Sequence, residues 1–233
     1  MTQSSLRLIM QALNAAEVRY LIVGGLAMVA HGYVRCTVDV DVLLHLEDAN
    51  VARAVGVLRQ LGYVSKSAWP LEDFALSEKR QALQRQGVEV LRLRSAEHDR
   101  TEIDLLTRDV RGFEEAYARR LDCDLNGVTL PVCGYDDLVA LKRLADRGID
   151  RVDLEQLEKV RSMPTPAERD DPWFTATFEG CELSHLRQSA AWPFAVKVAQ
   201  LEEFHDLART FQEHRRKTSG PRTIRASGLI EDV

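Results

Sequence analysis

Apolar residues recur at helical spacing over 4–17, where Leu6, Ile9, Met10 and Leu13 share one face. A short apolar strand at 20–23 follows. Gly24-Gly25 turns the chain, and 26–31 has helical character up to Gly32, a residue type that ends helices. The segment 37–44 (TVDVDVLL) alternates strictly from Val38 to Val42. It predicts a strand with Val38, Val40 and Val42 directed into the core and Asp39 and Asp41 on the opposite face. A helix over 47–61 is closed by Gly62. Two strands at 88–93 and 101–106, joined by a polar loop, predict an antiparallel pair, and 111–120 reads as a helix. Asn126-Gly127 between 121–125 and 128–132 is a hairpin signal. A helix at 136–147 is expected to turn Leu138, Leu141, Leu144 and Ala145 inward, and 150–160 forms another. The long helix 194–215 carries Phe194, Val198, Leu201, Phe204, Leu207 and Phe211 at helical spacing. No internal repeat interrupts this order. The pattern predicts an α/β (α+β) fold, a small mixed sheet flanked by helices with a helical C-terminal extension.

Composition narrows the picture. The 233 residues suit one domain plus an extension, or two small domains, and they are enough to bury a core without disulfide or metal staples. Residues 162–172 (SMPTPAERDDP) hold prolines and charges in the manner of a linker. The expected organisation is therefore a domain over 1–161, a linker over 162–172, a helical extension over 173–218 and a mobile tail over 219–233. A net charge of −5 excludes a globally basic nucleic-acid coat and leaves room for a local basic patch. The four cysteines (Cys36, Cys123, Cys133, Cys181) form neither a CxxC nor a Cys/His zinc pattern, which points to a reducing, cytoplasmic setting. No secretion signal is read at the N-terminus. The most apolar window, 20–34, is too short for a membrane span and contains Gly24, Gly25, His31 and Gly32, so no membrane partner is expected.

The strongest chemical signal is VGGLAMVAHGYVRCTVDVDVLL, 23–44. Glycines between a strand and a helix let backbone N–H groups approach a ligand, although many such turns are only tight connections. Asp39 and Asp41 sharpen the reading. Two carboxylates side by side on a strand repel one another unless a cation lies between them, and Mg²⁺ favours a few carboxylates plus phosphate oxygens. A third carboxylate completes a two-metal site for phosphoryl transfer. TEIDLLT supplies Asp104, between the core residues Ile103 and Leu105. Glu102 shares its face and is the rival.

With these residues in hand, the chain resembles the nucleotidyltransferase superfamily of the polymerase-β type. The features that carry the resemblance are Gly24-Gly25 at the turn, Arg35-x-Thr37, Asp39-x-Asp41 on a strand and Asp104 on a later strand. Within that superfamily, GGLAMVAHGYVRCTVDVDVLL and the later YDDLVALKRLADRGIDRVDLEQL are most similar to bacterial AbiEii/AbiGii-like toxin nucleotidyltransferases. The likeness spans about residues 5–160 and is most specific in the first 45. It implies a nucleotidyltransferase fold. Gly24 and Gly25 would cradle nucleotide phosphates, and Asp39 and Asp41 would bind Mg²⁺, or Mn²⁺ in its place. Asp104 would complete the second metal site. The reaction would transfer a nucleoside monophosphate from an NTP to a hydroxyl on tRNA or protein, with a cognate antitoxin as a further partner. The chain departs from many relatives in having Gly-Gly where they have Gly-Ser.

The remaining candidates divide between chemistry and packing. Arg35 pairs either with triphosphate oxygens or with a structural aspartate. Lys142 is implied by the resemblance to reach the nucleotide phosphates, against an ordinary solvated helix face. Asp150 and Asp153 are expected as an N-cap and a first-turn acid. Thr37 is expected on the strand surface, His31 at a helix end and Cys36 as a small buried residue. Trp69, Trp173 and Trp192 are expected to pack, and the basic stretch 214–225 to be a solvated tail or an RNA or partner contact. Two other functions remain open at this point: a catalytically inactive antitoxin or interaction module, and a small-molecule (antibiotic) nucleotidyltransferase.

Overall fold

The computed structural model describes residues 1–107, 112–162 and 178–218. In chain order these form α1 (Gln3–Ala15), β1 (Tyr20–Ile22), α2 (Gly24–Ala30), β2 (Asp39–Leu44), α3 (Asp48–Gln60) and β3 (Tyr63–Ser65). A 3-10 turn at Leu71–Ala75 leads into α4 (Ser77–Arg85), β4 (Val90–Ser95), β5 (Glu102–Leu106) and α5 (Phe113–Ala118). The hairpin β6 (Leu121–Leu125) and β7 (Val128–Val132) precedes four helices, α6 (Tyr135–Ala145), α7 (Gly148–Arg161), α8 (Phe178–Ala191) and α9 (Phe194–Thr218). The strands make one mixed sheet in the order β3-β4-β5-β2-β1-β7-β6. The fold is α/β as predicted, a mixed sheet flanked by helices with further helices at the C-terminal end.

Alternation along the central strands builds two unlike faces. Val40 and Val42 of β2, Ile103 and Leu105 of β5, and Leu91 and Leu93 of β4 are all buried on the core side. Fully burying side chains of this kind is worth roughly 1.5–3 kcal/mol each. The other face carries Asp39, Asp41, Asp104, Arg92 and Arg94. The parallel pairing of β2 with β5 sets Asp41 opposite Asp104 and Asp39 opposite Glu102. The antiparallel pairing of β5 with β4 then sets Asp104 opposite Arg92. The hairpin closes on Asn126 (φ 53°) and Gly127 (φ 83°), the positive dihedrals that its turn chemistry demands.

Several expectations change on inspection of the packing. β2 begins at Asp39, so Val38 stands outside the strand and is 53% exposed instead of entering the core. On α6, Leu138 is buried as expected but Leu144 is 64% exposed, and Lys142 takes an interior position. Cys36 is exposed. On α9 the expected apolar stripe holds only in its first half. Phe194, Val198 and Leu201 are buried, where the helix meets α1, α2 and β6, whereas Phe204, Leu207 and Phe211 are exposed. β3, the 3-10 turn, α4 and α8 were not foreseen. In α4 the interior is filled by Leu83 and by Arg80, whose guanidinium donates to the carbonyls of Phe74 (2.8 Å) and Leu46 (3.0 Å). Most of the linker at 162–172, the start of the extension at 173–177, Trp173, Arg111 and the tail at 219–233 lie outside the described residues, as does much of the basic stretch 214–225. Among the described residues, no helix is long and apolar enough to cross a membrane.

Candidate active site

Three carboxylates share the open face because strand period and register coincide. Asp39 and Asp41 are two residues apart on β2, and β5 runs alongside in parallel with Asp104 beside Asp41. Asp104 and its rival Glu102 differ in their partners. Glu102 is paired with Lys66 Nζ at 2.8 Å, whereas the Asp104 side chain is only 7% exposed. Its Oδ2 lies 3.5 Å from Arg92 Nε, and its buried Oδ1 accepts no hydrogen bond among the described residues. Burial, reinforced by the neighbouring Asp39 and Asp104 carboxylates, pushes Asp41 up to about 7. Burial and the Asp39 charge push Asp104 up to about 6, against the pull of Arg92. Asp39 accepts a hydrogen bond from Thr37 Oγ1 at 3.0 Å. Thr37 is thus buried and turned toward the carboxylates, a correction to its expected place on the strand surface.

The glycine pair is required by the space these side chains occupy. Gly24 has φ +61°, and a Cβ placed on it would lie 1.8 Å from Asp41 Oδ2. A Cβ on Gly25 would lie 2.5 Å from Thr37 Oγ1. The Gly25 N–H donates to Asp41 Oδ2 at 3.4 Å, and this weak bond only partly offsets the cost of burying the charge. The absent side chains therefore let α2 start directly against the carboxylate row.

A cavity of about 320 Å³ opens beside Asp41 and Gly24, under α6. Val90, Leu106, Leu138 and Leu141 give it apolar walls, and Lys142 and Arg147 bring cations to it. Lys142 is held on both sides, 3.0 Å from Asp150 Oδ1 and 2.5 Å from Asp153 Oδ2. Asp153 is fully buried and also takes Arg35 in a two-point contact, Nε to Oδ1 at 2.8 Å and Nη2 to Oδ2 at 2.9 Å. Of the two readings of Arg35, the structure displays the pairing with an aspartate. Asp150 occupies the third position of α7, and its Oδ2 accepts the Arg147 backbone N–H at 3.2 Å and the Arg147 Nε–H at 2.7 Å. Burial alone would push its carboxyl up, but Arg147 and Lys142 outweigh that and hold it below the ordinary range. Arg147 keeps a side chain that is 68% exposed, close enough for its charge to act on Asp41 and Asp39. His31 ends α2 as expected, its Nε2 on the Cys133 carbonyl oxygen at 2.8 Å.

Arg147 and Asp153 were missed as site residues by reading the sequence. Nothing local marks Arg147, since arginine is not a capping residue type. Nothing local marks Asp153 as the meeting point of Arg35 and Lys142, which lie far apart in the chain.

The donor chemistry of the row suits a hard divalent cation, since it consists of carboxylate oxygens and includes a buried oxygen without a partner. Among the described residues, no group of three or more His, Cys, Asp or Glu side chains is placed to hold a metal ion. Magnesium does not require such a group, because it commonly takes one or two carboxylates and completes its shell with water and substrate phosphate. The residues present therefore fit such an ion as a shared ligand of protein and substrate.

No family model matches the chain, and no curated protein matches it. Among solved structures it is similar to the crystal structure of lincosamide antibiotic adenylyltransferase LnuA, lincomycin-bound, at 13% sequence identity and a TM-score of 0.47. That match covers 69% of this chain and 98% of that one. A likeness of that degree carries no functional weight beside the geometry of the side chains.

Proposed function

We propose that this protein is a divalent-metal-dependent nucleotidyltransferase that moves a nucleoside monophosphate from an NTP to a hydroxyl acceptor. The observation that carries this reading is the register pair Asp41–Asp104, two sunken carboxylates with raised pKa values beside Asp39 and a cation-bearing cavity. Such crowding is costly in an empty protein and becomes useful when positive charge and phosphate arrive together.

Asp39, Asp41 and Asp104 would hold Mg²⁺ or Mn²⁺, which supplies charge neutralisation for the phosphates when bound. Arg147, exposed at the cavity, pairs with phosphate oxygens. Leu138, Leu141 and Val90 offer an apolar wall to the nucleobase. Lys142 and Arg35, both clamped by Asp153, fix α6 and the segment entering β2 in one geometry, so that the carboxylates stand ready for in-line attack. The acceptor hydroxyl oxygen bonds to the α-phosphorus while the bond from that phosphorus to the oxygen bridging the β-phosphate breaks, and pyrophosphate leaves. Asp104 Oδ1, buried without a hydrogen-bond partner among the described residues, would take the hydroxyl proton. The motif resemblance adds tRNA or protein as acceptors and a toxin of a two-gene pair as the biological setting.

Incubation with each α-labelled NTP, Mg²⁺ and cell lysate tests the proposal. Label should move to a macromolecule or small acceptor with release of pyrophosphate, and Asp39→Asn should abolish transfer while the far-ultraviolet circular dichroism stays that of the wild type. Transfer that persists undiminished in Asp39→Asn would overturn the assignment.

A further inference from the structure

The segment leading into β2 inverts the usual hydrophobic order. Cys36 is exposed and Val38 is 53% exposed, whereas Thr37 between them is only 8% exposed. A hydroxyl taken out of water needs a partner. Thr37 Oγ1 has one, donating to Asp39 Oδ1 at 3.0 Å. The absence of a side chain on Gly25 leaves room for this arrangement, since a Cβ there would stand 2.5 Å from Thr37 Oγ1 and 2.8 Å from its Cβ. The backbone of the segment is fixed from the other side. Arg35 Nη1 donates to the Cys36 carbonyl at 3.1 Å, while Asp153 holds the same guanidinium through Nη2 at 2.9 Å. Each acid of β2 is thus met at one oxygen by one donor, Asp41 Oδ2 by the Gly25 N–H at 3.4 Å and Asp39 Oδ1 by the Thr37 hydroxyl.

We infer that Thr37 is a positioning residue of the cation site, whose hydroxyl fixes the Asp39 carboxylate by Oδ1 and leaves Oδ2 for the divalent ion. This deepens the proposed function and rests on it for the role of Asp39 as a ligand. Three physical points carry it. The terminal torsion of an aspartate is broad, so an unheld carboxylate samples many orientations beside the like charge of Asp41. Threonine is stiff at its first torsion, so a buried Thr37 aims its hydroxyl in one direction. A donor on one carboxylate oxygen orients the other toward a metal, and partners of this kind commonly change metal affinity 10–100-fold. The burial of Thr37 in preference to Val38 follows from that role, because an apolar side chain in the same place would leave Oδ1 unheld. Thr37 acts through Asp39 and needs no contact with the nucleotide.

The experiment titrates the full chain with Mn²⁺ alone and reads the free ion by electron paramagnetic resonance. Thr37→Val keeps the shape of the side chain and removes the donor, whereas Thr37→Ser keeps the donor and removes the methyl group. The Kd for Mn²⁺ should rise about tenfold or more in Thr37→Val and stay close to wild type in Thr37→Ser. Thr37→Ala, which removes the donor without placing a methyl group beside Asp39, should lose as much as Thr37→Val. Thermal unfolding in chelator records the stability of each variant separately. A Kd in Thr37→Val and Thr37→Ala equal to that of the wild type would overturn the inference, whatever their Tm, because the hydroxyl would then serve packing alone. An equal loss in Thr37→Ser would overturn it as well, by assigning the effect to the methyl group. A wild-type chain that takes up no Mn²⁺ removes the metal reading and this inference with it. Wild-type binding left unchanged by loss of the hydroxyl removes this inference and leaves the proposed function standing.

Discussion

Replacing Asp41 by Asn should make the metal-free protein more stable while removing the proposed nucleotidyl transfer. The folded Asp41 carboxyl is pushed from 3.8 to about 7 by burial and by its acidic neighbours. An acid whose pKa is raised on folding binds more protons folded than unfolded between those two values, so stability falls as pH rises through that window. Below about pH 4 no cost is present, and above pH 7 all of it is. About 3 pK units at 1.36 kcal/mol each give an upper bound of about 4 kcal/mol. Asparagine keeps a polar group in the same half-buried place, so roughly half of that is the expected gain at pH 8, about 2 kcal/mol. For a chain of this size that corresponds to a rise in Tm of about 4–8 °C. The assay is thermal unfolding of wild type and Asp41→Asn in chelator at pH 8 and pH 5. The gain should vanish at pH 5, because only about 1.2 pK units of the Asp41 cost, about 1.6 kcal/mol, remain there while the burial cost of the asparagine, about 2 kcal/mol, does not change with pH. Added Mg²⁺ should raise the Tm of the wild type at pH 8 and leave the variant unmoved. A variant less stable than wild type at pH 8, or a gain that is the same at both pH values, would refute the reasoning.

Two other perturbations separate structure from chemistry. Lys142→Met leaves Asp150 and Asp153 buried without their shared cation, and urea unfolding should show a loss of about 3–5 kcal/mol, partly recovered in Lys142→Met/Asp153→Asn. Arg147→Gln removes an exposed cation and its ion pair with Asp150 while the backbone N–H still caps that carboxylate, so it should cost no more than about 1–2 kcal/mol of stability. Steady-state kinetics of the same variant should show at least a tenfold rise in the KM for NTP, and an unchanged KM would remove Arg147 from the phosphate site.

The parts of the fold that could be read in advance are those where local chemistry and final structure agree. The Asn126-Gly127 turn, the paired strands β4 and β5, and the Val-Asp-Val-Asp alternation each depend on neighbours within a few residues. That alternation placed Asp39 and Asp41 on one face, and the core demands of Ile103 and Leu105 carried Asp104 to the same side. What could not be read depends on partners supplied from afar. Lys142 goes inside α6 only because α7 brings two acids to it, and Leu144 is left outside in consequence. Arg80 enters the core because carbonyls of Phe74 and Leu46 face it. Thr37 looked like strand surface because the alternation extends through it, yet the strand starts two residues later and its hydroxyl turns to Asp39.

Asp153 ties Arg35, ahead of β2, to Lys142 on α6. The geometry around Asp39 and Asp41 is thus finished by a residue more than a hundred positions later in the chain. A growing chain on the ribosome would expose Asp39 and Asp41 long before α7 emerged to lock the segment leading into them. The placement of these two acids should therefore be completed late in synthesis and all at once, when α7 has formed.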